Sequence, residues 1–204
     1  MVLAYFISVI VLALILAFAK NRVVQLLVMV VFSLTQTAFT AFVIFFREVG
    51  FSGYFAADSL CLIFLSLLTV VTVTTVIQSF VYLRKRNDTL AHRSYYLASL
   101  VIFVASMTGV FLSDHIGLMW VFAEATTLSI ALLIYHERTP EAIEATWKYI
   151  FISTLGLSFS FIGILLLDLS LGKTVAEVFT FTGLPQVLAA VPHKIMLQLA
   201  FILI

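Results

Sequence analysis

Glu124 and Lys148 are the two residues whose type and setting point to chemistry. Glu124 stands inside an apolar run covering 116–135, roughly 12 Å of helical rise from one end and 16 Å from the other. If that run crosses a membrane, the carboxylate lies near its middle, where an ionised group costs ~2.5–3.5 kcal/mol on insertion scales. Such a cost is tolerable when the side chain faces a wet cavity, meets a cation or binds a proton. Burial disfavours the carboxylate and a nearby cation favours it, so a group held between the two can load and release a proton. Thr127, three residues on, shares the face and can help hydrate it. The structural alternative is a protonated glutamic acid hydrogen-bonded to a neighbouring helix.

Lys148 is placed about 12 Å along a helix that starts at Pro140. Two readings stay open. It serves as a proton relay, or it snorkels to the surface and pairs with Glu144 in the favourable Glu-then-Lys order one turn apart. His136 falls at the mouth of the run that carries Glu124, where a histidine can pass protons. The other histidines, His92, His115 and His193, also fall at or near helix ends and read as interfacial residues.

These residues need membrane helices to hold them. The chain is 63% hydrophobic and 10% charged, against roughly half and a quarter in soluble domains. A globule of this size cannot hide so much apolar surface from water, so an all-α integral membrane protein is expected, as a single transmembrane domain over 1–204. Apolar runs of about spanning length predict helices at 2–19, 23–46, 59–83, 94–112, 116–135 and 140–167. A seventh opens at Lys194, and the residues to Ile204 cover about 16 Å, half a crossing. The chain therefore reads as ending partway through that helix. Asp58 and Thr139 are expected N-caps, with Pro140 and Glu141 suited to the first turn of helix six. Residues 168–193 form a longer external segment. Lys20, Arg22, Arg84, Lys85, Arg86, Arg93 and Arg138 follow the odd-numbered helices, whereas Arg47, Lys173 and Lys194 lie on the other side. The positive-inside rule then puts the N-terminus outside and the Arg84–Arg93 loop in the cytoplasm. Arg84–Arg86 also suits lipid headgroups.

Ser153, Gly156, Ser160 and Gly163 form a stripe of small residues best read as a helix-packing face. The hydroxyls and amides of helix two (Ser33, Thr35, Gln36, Thr37) and helix three (Thr72, Thr74, Thr75, Gln78, Ser79) either line a hydrated path or bond across helices and back to their own backbone. The first helix lacks the basic residues that would precede a signal peptide's apolar run. The single Cys61 gives no disulfide framework and no metal spacing. There is no cofactor fingerprint, phosphate loop or nucleophile arrangement, and no basic patch for nucleic acid.

Two segments carry a family resemblance: Gly117-Leu-Met-Trp-Val-Phe-Ala-Glu124-Ala-Thr-Thr-Leu-Ser129 and Glu144-Ala-Thr-Trp-Lys148-Tyr-Ile-Phe-Ile-Ser-Thr-Leu-Gly156. Together they resemble the antiporter-like membrane subunits shared by complex I, Mrp cation/proton antiporters and group 4 hydrogenases. The wording looks most like the F component of hydrogenase-4, a relative of the formate hydrogenlyase membrane arm. Asp58-Ser-Leu is similar to the start of the family's third helix. The resemblance implies that Glu124 and Lys148 occupy places in a chain of buried charges that carries protons across the membrane. It implies further that a key lysine on helix seven lies beyond the residues present, and that this chain corresponds to the N-terminal part of a bundle of about fourteen helices. The expected function is a proton-translocating subunit that is not catalytic alone. A redox partner drives it, a [NiFe] hydrogenase or other iron–sulfur module, with further membrane subunits and lipids around it. The rivals are an Mrp-like sodium/proton antiporter or ion-uptake subunit, and a shortened subunit with a purely structural role.

Overall fold

A computed structural model describes residues 1–46, 54–85, 89–171, 180 and 194–203. Among them the chain forms seven helices: α1 (Val2–Phe18), α2 (Arg22–Phe45), α3 (Ser59–Lys85), α4 (Leu90–Leu112), α5 (Ile116–Tyr135), α6 (Pro140–Leu171) and α7 (Lys194–Leu203). Helices α2 to α6 are long and apolar enough to cross a membrane, and α1 is a shorter apolar helix. In hydrocarbon every backbone polar group must be satisfied within the chain, which a helix achieves by itself. The protein is an all-α, multi-pass membrane protein.

Local chemistry sets several helix ends. The Asn21 side chain accepts from the Val23 N–H to start α2. Asp58 accepts from the Ser59 N–H at 2.6 Å before α3. Thr139 accepts from the Ala142 N–H at 3.1 Å and Glu141 sits in the first turn of α6, which complements the positive helix end. His115 caps α5 through Leu118 N–H. Two boundaries differ from the sequence expectation. Helix α4 begins at Leu90 rather than Ser94, so Arg93 lies inside its first turn instead of in a loop. Arg93 is buried, and its guanidinium donates to the Leu83 carbonyl at the end of α3, 3.0 Å away. Helix α6 runs to Leu171 rather than Leu167, placing Asp168 in the helix. Arg47, Arg86, Lys173, His193 and the segment 181–193 with its two prolines lie outside the described residues.

Helix α4 is central, packed against α1, α2, α3 and α5, whereas α6 packs chiefly on α5 and α7. The core is accordingly in two parts. The larger joins α1 to α4 around Leu16, Met29, Phe32, Leu65, Leu97 and Val101. The smaller joins α5, α6 and α7 through Ile116, Ile164, Leu167 and Ala200, with Trp120 packed against it. Helix α5 is the shared wall.

Polar bonds lock the larger part. Gln25 and Gln36 lie three turns apart on the same face of α2, and both are buried. The Gln25 amide donates to Ser94 Oγ on α4 (2.8 Å) and to the Ala19 carbonyl after α1 (3.1 Å). Ser94 Oγ donates in turn to that same carbonyl at 2.7 Å. Gln36 accepts from the Tyr5 hydroxyl of α1 and donates to Thr108 Oγ1 of α4 at 3.2 Å. Thr40 of α2 bonds Thr69 of α3 at 2.7 Å. Thr35, Thr37, Thr72 and Thr74 on these helices bond to their own backbone.

Close approach of α4 and α5 depends on Gly109, where a Cβ would stand 2.5 Å from the Phe122 ring. That ring stacks on Phe6 of α1 at 5.1 Å. Of the small-residue stripe on α6, Gly163 is buried, but Gly156 has nothing within 4 Å of where its Cβ would be. At Gly156 the close helix approach expected from the sequence does not occur within the described residues.

Two outcomes follow for stability, both readable as thermal unfolding in detergent. Gln36→Leu leaves the Tyr5 hydroxyl buried without its acceptor and should cost about 1–3 kcal/mol, and adding Tyr5→Phe should recover part of that loss. Gly109→Ala should cost about 1–3 kcal/mol by overpacking Phe122, with Phe122→Leu in the same chain relieving it.

Candidate functional site

Glu124 is set by the geometry of α5. Trp120 Nε1 donates to the Leu157 carbonyl of α6 at 2.8 Å, and its ring lies 4.7 Å from that of Phe161. Phe122 faces the other way, onto α4 and α1. At 3.6 residues per turn, Glu124 falls beside Trp120 and opposite Phe122, on the side of α5 nearest α6. Thr127 shares that side, and its hydroxyl donates to the backbone carbonyl of Glu124 at 2.8 Å. Glu124 is half-buried, and among the described residues its carboxylate makes no hydrogen bond or ion pair. The structural alternative, a glutamic acid held by a hydrogen bond from a neighbouring helix, is absent among those residues.

Lys148 does not meet Glu124. Its ammonium pairs with Glu144 one turn back on α6, and both side chains are about two-thirds exposed on the surface of the chain. The Trp120–Leu157 bond fixes the antiparallel register of α5 and α6. Counting from it puts Lys148 level with about residue 129 of α5, roughly 7 Å of rise from Glu124. The two charges therefore sit on adjacent helices at neighbouring depths, with separate surroundings.

His136 lies where the helices open. A cavity of about 670 Å³ is lined by Thr75, Gln78, Ser79 and Tyr82 of α3, Tyr96 of α4, and His136, Glu137, Thr139 and Glu141 at the α5–α6 turn, with Leu133, Ile134 and Ala142. The His136 ring lies 4.8 Å from that of Tyr96 and 6.5 Å from that of Tyr82. The Tyr82 hydroxyl donates to Glu137 Oε1 at 3.4 Å, and Ser79 and Tyr96 share a bond of the same length. This vestibule opens at the end of the bundle where most Lys and Arg gather. Thr75, Gln78 and Ser79, read from the sequence only as hydroxyls and an amide of unspecific role, form its wall.

Sequence reasoning missed Tyr82, Tyr96 and Glu137, and saw Glu141 only as a helix-start residue. A signal for Tyr82 was present, because Thr75, Gln78, Ser79 and Tyr82 follow helical spacing on one face. Tyr96 and Glu137 join them only through the meeting of α3, α4 and α5. Among the described residues no group of His, Cys, Asp and Glu is arranged to hold a metal ion, and Cys61 is a buried thiol in α3.

Comparison with known proteins gives the site a context. No family model matches the chain. It is 29% identical over 152 residues to a hydrogenase-4 component F homolog of Methylacidiphilum infernorum, covering 70% of this chain and 32% of that protein. It is 28% identical over 170 residues to NAD(P)H-quinone oxidoreductase subunit 2 of Synechocystis, covering 71% and 32%. The subunit 2 of Microcystis aeruginosa is 31% identical over 132 residues, covering 63% and 25%. The matched region thus spans about a quarter to a third of the length of these relatives. The chain is similar, over part of their length, to membrane subunits named for hydrogenase-4 and for NAD(P)H-quinone oxidoreductase.

Proposed function

We propose that this chain forms part of a proton-translocating, antiporter-like subunit in the membrane arm of a redox-driven complex, with Glu124 and Lys148 as carriers. The observation that supports it most is Glu124 itself. A carboxylate is kept near the middle of an apolar span, half-buried, without a hydrogen bond among the described residues. A group in that setting retains freedom to exchange its proton, where a structural one is tied down. The relatives are subunits named for hydrogenase-4 and quinone oxidoreductase, which favours redox chemistry in a neighbouring subunit as the driver.

The vestibule supplies one end of the route. His136, Glu137 and Glu141 gather protons from water, and the polar wall rises along α3 from Tyr82 to Thr75, about 10 Å deeper. By register that depth is close to the level of Lys148, leaving one to two turns to Glu124. Water carries the proton over that step, with Thr127 hydrating the same face. Lys148, pulled from Glu144 when the complex turns over, acts as the cation that stabilises the ionised Glu124. The basic end is the cytoplasmic side in this reading, with the N-terminus outside. Partner membrane subunits cover the face of α6 that carries the Lys148–Glu144 pair, since an ion pair facing lipid is costly.

The two vestibule carboxylates also favour a second reading, in which sodium is exchanged for protons. In the intact complex reconstituted into vesicles, Glu124→Gln should leave assembly and the redox reaction in place and lower proton translocation per turnover by about tenfold or more. Unchanged translocation removes Glu124 from the route. Proton flux that requires sodium and no redox substrate would move the assignment to the antiporter, and equal flux with the subunit absent would leave it a scaffold.

A further inference from the structure

A second, smaller cavity of about 160 Å³ lies beside the vestibule, lined by His92, Tyr95, Tyr96 and Ser99 of α4, Leu132 and Tyr135 of α5, and His136 and Arg138 beyond it. Tyr96 and His136 belong to both cavities, yet their charges are opposite. The vestibule holds Glu137 and Glu141, whereas among the described residues no carboxylate lines the smaller cavity, which gathers Arg138 and two histidines. Arg138 has φ 53°, a left-handed conformation that a non-glycine residue adopts at a cost. Its guanidinium is held 5.7 Å over the Tyr135 ring. Among the described residues neither Arg138 nor His92 forms an ion pair or a side-chain hydrogen bond.

An apolar groove adjoins this cavity. It has a volume of about 360 Å³, runs between α5 and α6, and shares Leu132 and Tyr135 with the basic cavity. Ala131, Trp147 and Ile150 are among its walls. A small cationic pocket at the helix ends, ringed by tyrosines and sharing a wall with an oily groove along the span, matches the two halves of one ligand. Basic pockets between membrane helices accept anionic headgroups, and tyrosine and tryptophan favour the headgroup level.

We propose that this is a binding site for an anionic phospholipid. The phosphate is held by Arg138 and His92, with the tyrosine hydroxyls as further donors, and an acyl chain lies in the groove between Leu132 and Trp147. The site goes beyond the proton reading and stands without it. Its position has a consequence for the vestibule, because a bound phosphate occupies the side of His136 away from Glu137 and Glu141.

The test uses the protein isolated with its native partners in mild detergent, followed by incorporation into nanodiscs of phosphatidylcholine with or without phosphatidylglycerol. Native mass spectrometry should find phosphatidylglycerol retained over phosphatidylcholine, and His92→Gln with Arg138→Gln should lower that retention about tenfold. Arg22→Gln, at the same end but outside both cavities, should leave it unchanged. In the unaltered protein a photoreactive phosphatidylglycerol should crosslink within 92–99, 128–138 or 146–150. Inorganic phosphate at millimolar concentration should compete weakly, since it lacks the chain. Equal retention of the two lipids, crosslinks spread over the surface, or full displacement by inorganic phosphate would overturn the assignment.

Discussion

The bundle depends on polar bonds made where there is no water. Lipid tails are as apolar as leucine, so burying leucine against leucine gives membrane helices little reason to associate. Gln25 and Gln36 supply that reason. Each spans from α2 to α4 and to α1 or its end, and each leaves a costly orphan if the neighbour moves away. Shape then completes the assembly. Gly109 lets Phe122 of α5 press onto α4, and Phe6 closes over the same ring from α1. The position of α5, and therefore of Glu124, follows from those contacts.

Because α5 belongs to both parts of the core, its two sides differ. The Phe122 side packs closely on Gly109 of α4 and Phe6 of α1. The Trp120 side meets α6 through one indole hydrogen bond and a small hydrophobic cluster, with Glu124 and Thr127 next along the face. A carboxylate is costly in the first setting, and in the second it stands half-buried beside Thr127. The same division explains why Lys148 stands apart. Among the described residues α6 packs chiefly on α5 and α7, so much of its circumference is open. Lys148 then turns to Glu144, which is already within reach on its own helix.

Charge is sorted at the basic end over a short distance. The α5–α6 turn sends Glu137 and Glu141 to the vestibule under α3 and Arg138 to the pocket beside α4, with His136 between them. The left-handed backbone at Arg138 makes that division, since it turns the chain sharply between two adjacent residues of opposite charge. The two carboxylates and the guanidinium thus line different cavities, and the Tyr96 and His136 side chains line both.

The sequence by itself determined that the chain is an all-α membrane protein, and which few charges stand inside its apolar runs. Composition and run length suffice for that, because the bilayer demands a minimum stretch of apolar residues and penalises every exception. It also determined the caps at Asp58 and Thr139, which are local chemistry. It placed Arg93 in a loop, because a charge beside an apolar run reads as its boundary, while the carbonyl of Leu83 that accepts from it comes from another helix. It left Gln36 among many polar residues and passed over Gln25, since nothing on α2 alone reveals that Tyr5, Ser94 and Thr108 will face them. Tertiary structure decided those partnerships. It also decided which hydroxyls of α3 line the vestibule and which turn back to their own backbone, and it set Glu124 and Lys148 on adjacent helices without contact. Helical periodicity gives the face a residue occupies, and only the neighbouring helices decide what that face meets.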